Sequence, residues 1–102
     1  MEVAAQISIS NWMPIEGYGS LVGSFSIELP VSYGTLRIHG LTYYEEDGRD
    51  GHREWVCLPR RKHYQDDGTA VRIMILEFET RAQFRAFQGD VIAALHAAGI
   101  PR

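Results

Sequence analysis

Apolar and polar residues alternate along most of the chain as far as Phe78, and a helical spacing replaces that alternation only after Thr80. Val3, Ala5, Ile7 and Ile9 share one parity and Gln6, Ser8 and Ser10 the other, which predicts a first strand over Met1–Ile9 with one wet face. The stretch Met13-Pro14-Ile15-Glu16-Gly17-Tyr18-Gly19 is rich in turn residues and ends it. Leu21–Leu29 alternates more cleanly, with Leu21, Gly23, Phe25, Ile27 and Leu29 facing the expected core. Pro30 and Gly34 bracket a short connection that reads as a hairpin.

Thr35–Tyr44 is the expected third strand. A strict period of two puts Leu36 and Ile38 on one face and Arg37, His39, Leu41 and Tyr43 on the other. Gly40 marks a bulge or a close backbone approach. The polar, glycine-rich stretch Glu45–His52 reads as an exposed, mobile loop. Arg53–Leu58 is the fourth strand, and His63–Thr69, with Asp66-Asp67-Gly68, a turn. Val71–Phe78 is apolar on both parities, as expected of a fifth strand that is central or covered by a neighbouring subunit.

Thr80 with Gln83 three residues on is a capping box. Phe84, Phe87, Val91, Leu95 and Ala98 then form one helical stripe, widened by Ile92 and Ala94 and stopped by Gly99-Ile100-Pro101. The order is β-β-β-β-β-α. This is an α+β fold, a five-stranded antiparallel sheet followed by one C-terminal helix, in a single domain over residues 1–102.

Charge narrows the function. Ten Lys and Arg against 13 Asp and Glu give a net charge of −3, which excludes an indiscriminate basic coat but not a local basic patch. The densest positive charge follows the run Glu54-Trp55-Val56-Cys57-Leu58. Pro59, which lacks an amide proton, stops that strand, and Arg60, Arg61 and Lys62 leave the sheet at its end. Arg60, Arg61, Lys62 and His63 are the first candidates for phosphate contact. Their bland alternative is a solvated loop that keeps a sheet edge soluble. Arg53 and Arg72 flank this loop in sequence and join it at the strand ends, although each is more often a paired surface residue. Tyr64, beside the cations, is the best of the aromatic residues for stacking on a base. Tyr43, Tyr44 and Trp55 are further candidates, but a strand tryptophan is more often core.

The lone Cys57 forms no intramolecular disulfide and reads as a buried, inert thiol in a reducing cytosol. Apolar runs fall far short of the roughly 20 residues that span a bilayer, and no secretion signal is expected. The histidines show no ligand spacing, and no phosphate loop, nucleophile elbow or carboxylate pair on a recognisable scaffold is present. The expectation is therefore a protein that is not an enzyme and uses no metal or cofactor.

Taken in order, these segments resemble the septation-protein SpoVG family from about Ser20 to Ala98. Leu21-Val22-Gly23-Ser24-Phe25-Ser26-Ile27-Glu28-Leu29 is similar to that family's second strand, and Ile38-His39-Gly40-Leu41 to its third. Trp55-Val56-Cys57-Leu58-Pro59-Arg60-Arg61-Lys62 resembles its strand ending in an aliphatic residue, a proline and basic residues, and Asp67-Gly68 its following turn. The chain departs from the family at Arg60, where a serine is usual, and in the longer, more acidic Glu45–His52 stretch. The resemblance implies a small cytoplasmic homodimer that binds DNA or RNA through the loop after the proline and has a regulatory role. The alternative is a protein-interaction module without nucleic acid, which the acidic balance and the polar Glu45–His52 stretch favour. A small-molecule pocket in the sheet is a third reading, although no polar groups converge in the sequence to define a ligand.

Overall fold

A computed structural model describes residues 6–100 of the chain. It contains six strands, β1 (Ser8–Pro14), β2 (Leu21–Val31), β3 (Gly34–Gly48), β4 (Gly51–Cys57), β5 (Arg60–Tyr64) and β6 (Ala70–Met74), and one helix, α1 (Arg81–Ala97). The fold is α+β with antiparallel sheet, as expected, but the strands do not form one five-stranded sheet. β1-β2-β3-β4 form a four-stranded meander, and β5 and β6 pair only with each other.

The reason lies at the outer edge of β4. The side-chain Oε1 of Gln88 on α1 accepts a hydrogen bond from the Val56 backbone N–H at 2.8 Å. That N–H is therefore not offered to a further strand. Three residues on, Pro59 has no N–H to offer. The chain turns away there, and Arg60–Tyr64, expected as a loop, finds its backbone partners in Ala70–Met74. The β5–β6 ribbon stands off the body as an arm. The Cα radius of gyration is 15.2 Å, against about 13 Å for a compact chain of this length.

The core is the helix-facing side of the meander. Phe25, Ile27, Leu41, Tyr43 and Val56 from the sheet meet Val91 and Leu95 from α1, with Ile100 closing the end. Each fully buried aliphatic or aromatic side chain contributes about 1.5–3 kcal/mol. The β2 parity is as expected, but that of β3 is not. Phe25 lies opposite Leu41 and Ile27 opposite Ile38, so the register slips by one at His39-Gly40. This bulge puts Ile38 and Leu41 on the same face, and leaves Arg37 and His39 exposed. Gly40 has φ +84°, and a Cβ there would lie 3.4 Å from Cβ of the buried Pro59. The bulge therefore sets the root of the arm against β3.

Two further expectations change. The proposed strand over Met1–Ile9 lies mostly outside the described residues, and β1 continues to Pro14 through a second bulge. Asn11 takes φ +55°, the register shifts between Ser10 and Met13, and Pro14 is tolerated on an edge strand. The Glu45–His52 stretch is not a loop. β3 runs through it to a two-residue turn, Arg49-Asp50, between the paired Gly48 and Gly51.

The helix begins as its sequence predicts. Thr80 caps it, with reciprocal bonds between Thr80 Oγ1 and the Gln83 N–H (3.1 Å) and between Gln83 Oε1 and the Thr80 N–H (3.2 Å). It ends in a Schellman turn, in which the Ile100 N–H reaches the Leu95 carbonyl at 2.9 Å and the Gly99 N–H the His96 carbonyl at 2.9 Å. A polar lock ties the helix to the sheet. His96 Nε2 lies 2.9 Å from Glu54 Oε1, and the hydroxyl of the buried Tyr43 donates to the same oxygen. No helix among the described residues is long and apolar enough to cross a membrane.

Candidate nucleic-acid interface

The root of the arm forms a cleft with the wet face of the sheet. Its volume is about 260 Å³, and Arg60, Arg61, Lys62 and Arg72 line it together with Tyr44 and Cys57. Strand geometry explains the convergence. In the β5–β6 register Arg60 faces Met74, Arg61 faces Ile73 and Lys62 faces Arg72. Alternation then puts Arg60, Lys62 and Arg72 on one side of the ribbon. Arg61 belongs to the other side, yet also reaches the cleft wall.

None of the ion pairs among the described residues involves these four cations. Five carboxylates are engaged elsewhere: Glu28 with Arg37 at 3.0 Å, Glu46 with Arg53, Glu54 with His96, and Glu45 and Asp47 with His52 at 3.4 and 2.7 Å. Glu77 and Glu79 line the neighbouring depression with Arg60 but form no ion pair with it. Hydrogen bonding to Asp47 raises the pKa of His52 above its ordinary value, against an opposing desolvation effect, with the charges of Asp47, Glu45 and Glu54 adding to the shift. At the tip of the arm, Asp67 Oδ1 accepts from the Thr69 hydroxyl at 2.7 Å and the Thr69 N–H at 3.0 Å. These bonds hold its pKa below the usual value.

The other sequence candidates separate. Arg53 does not line the cleft. It pairs with Glu46, and its guanidinium carbon lies 5.8 Å from the centre of the Trp55 ring. His63 and Tyr64 are exposed further along the arm, and Tyr64 stays on the side of Lys62 and Arg60. Tyr43 is fully buried and leaves the list of stacking candidates. Its hydroxyl pKa is pushed up, by burial first and then by its bond to Glu54.

Trp55, expected in the core, is instead half-buried on the opposite face, because its neighbour Val56 takes the core position. There it stacks on Tyr44, with ring centres 5.4 Å apart and planes within 1°. Cys57 follows on the same face, half-buried at the cleft rather than sealed. Tyr44, one of the further stacking candidates in the sequence, is the aromatic residue that lines the cleft. Its pairing with Trp55 follows by counting back from a two-residue turn at Arg49-Asp50, a signal hidden when that stretch is read as a loop.

A second depression, of about 550 Å³, lies between the edge of β4, the end of β6 and the start of α1. Leu58, Met74, Phe78 and Phe84 give it an apolar lining, with Glu77 and Arg81 also in its wall. The expected strand Val71–Phe78 is cut short: β6 stops at Met74 and is exposed along its whole length, while Phe78 leaves the ribbon and packs on Phe84 and Phe87 of α1, with ring centres 6.3 and 5.0 Å away.

The chain matches no family model, no curated protein and no solved structure.

Proposed function

We propose that this chain is a SpoVG-like regulatory protein that binds DNA or RNA as a cytoplasmic homodimer, with a binding rather than a catalytic role. Arg60, Arg61, Lys62 and Arg72 contact phosphate, and His63 and Tyr64 extend the contact along the arm. The supporting observation is that four cations converge on one cleft without a carboxylate partner. Like charges crowded together raise one another's energy, and an incoming polyanion relieves this. Arginine adds bidentate geometry to the charge.

Fluorescence anisotropy with short labelled DNA and RNA at low and moderate salt tests this. Binding at low salt that Arg60→Glu with Arg61→Glu abolishes is the expected result. Absence of binding, or binding indifferent to both substitutions, overturns it.

The homodimer has its own support. An isolated two-stranded ribbon is marginal in water, and Ile73 and Val71 are each 38% exposed on the ribbon while Ile75 just beyond it is 57% exposed. A second copy that covers them stabilises both arms. Light scattering at micromolar concentration should report a dimer, and Ile73→Glu should shift it toward monomer. The same apolar residues favour the second reading, a protein-interaction module. A dimer that forms normally yet binds no nucleic acid at low salt selects that reading.

A further inference from the structure

The cleft is continuous with an aromatic deck whose geometry bears on what kind of polyanion fits. We propose that the ligand is a single strand, and that Tyr44 and Trp55 are the platform on which one of its bases stacks. This rests on the nucleic-acid reading above and names its substrate class.

The two rings lie on the sheet face that the helix leaves uncovered, parallel within 1° and 5.4 Å apart. The Arg53 guanidinium lies over the Trp55 ring at 5.8 Å. The cation and the indole follow one another along β4, the indole pairs across to the phenol of Tyr44 on β3, and Tyr44 is the ring that also lines the cationic wall. A base laid on Tyr44 continues the stack, and its phosphate then falls among Arg60, Lys62 and Arg72. Adjacent aromatic and cationic surfaces are what an unpaired strand offers contacts to, since each of its bases exposes a π-face.

A duplex fits this surface poorly for two reasons. Its bases are already stacked on one another, so the deck would have no partner. The positive surface is also short. Of the acidic residues that follow Tyr44 along β3, Glu46 lies on the same face two positions on, 42% exposed beside Arg53. The second strand of a duplex, with about one negative charge per 1.7 Å of axis overall, would meet that carboxylate. A two-stranded ribbon such as the arm also enters a duplex major groove. In that pose the aromatic pair, which sits on the sheet and not on the ribbon, goes unused.

The test is anisotropy at low salt with three labelled ligands of equal length: oligodeoxythymidylate, its duplex with oligodeoxyadenylate, and an abasic strand that keeps the phosphates but has no bases. The expected order is oligodeoxythymidylate tightest, with the abasic strand weaker by at least about fivefold, the factor that loss of one stacked base produces. Tyr44→Leu with Trp55→Leu should remove the same factor from oligodeoxythymidylate and leave abasic binding unchanged. The comparison of abasic and base-bearing strands uses the unaltered protein, so it decides the matter even if the double variant folds poorly. Equal binding of abasic and base-bearing strands, or a duplex bound as tightly as the single strand, overturns this proposal and leaves the nucleic-acid reading standing. Failure of all three ligands to bind removes the nucleic-acid reading itself.

Discussion

Lys62 and Arg72 lie directly opposite each other across the β5–β6 ribbon. Like charges in that position destabilise a strand pair, by the same order, roughly 0.2–1 kcal/mol, that opposite charges stabilise it. A pair maintained for stability alone would carry opposite signs. Lys62→Glu is therefore expected to leave the melting temperature unchanged or raise it slightly, while weakening nucleic-acid binding. Thermal denaturation and anisotropy on the same sample check the two halves. A variant that both melts lower and binds normally contradicts the assignment.

Salt dependence reports how many of the cations engage. With three or four phosphates contacted, the slope of log K against log salt is about −2 to −3 for a single strand. Arg72→Ala should make it shallower by about 0.7. Anisotropy titrations over a range of potassium chloride concentrations measure both slopes.

Glu54 joins β4 to the helix through Tyr43 and His96. Burial alone raises its carboxyl pKa, but the hydrogen bonds from Tyr43 and His96, with the charges of His96 and His52, more than offset this, and the pKa lies below its ordinary 4.5. The unfolded chain then takes up the proton first as pH falls. The contribution of Glu54 to stability is complete above about pH 4.5 and is lost as pH drops through the lowered folded value. Urea denaturation across the acid range should show a shallower decline for Glu54→Gln than for the unaltered protein. Glu54→Ala, which strands the buried Tyr43 hydroxyl, should cost about 1–3 kcal/mol at neutral pH.

The Trp12 indole occupies the space beside Gly23. A Cβ at that glycine would be 2.5 Å from Trp12 Cη2 and 2.7 Å from the Met13 carbonyl oxygen. The indole tip can swing but the backbone oxygen cannot, so Gly23→Ala must push β1 off β2. The expected loss is about 1–3 kcal/mol, measured by urea denaturation, with the cationic cleft and its affinity unaffected.

Much of the fold was legible because one-sided burial writes itself into alternation. The β2 face, the capped helix and its Leu95 stripe all follow from periodicity. The bulges at Asn11 and at His39-Gly40 were not, since each adds a residue and inverts parity beyond it. The split of the sheet was hidden for another reason. A side chain from Gln88, more than thirty positions away in sequence, occupies the Val56 amide, and no local pattern announces that contact. At the site, charge density marked Arg60, Arg61 and Lys62, and nearness in sequence brought in Arg72. Arg53 was misplaced because its neighbour across the strand, Glu46, lay in a stretch taken for loop. Tyr44 and Trp55 became a pair only once that stretch was a tight hairpin.

The Gln88 amide has a consequence for how the protein behaves at high concentration. An uncapped sheet border templates the addition of foreign strands, and here a helix residue blunts it. Gln88→Ala would leave the helix nearly as favourable as before yet bare the Val56 end of that border. Its signature would be thioflavin-positive or soluble higher-order association, a colloidal fault arising from a position that, by sequence alone, belongs to a helix.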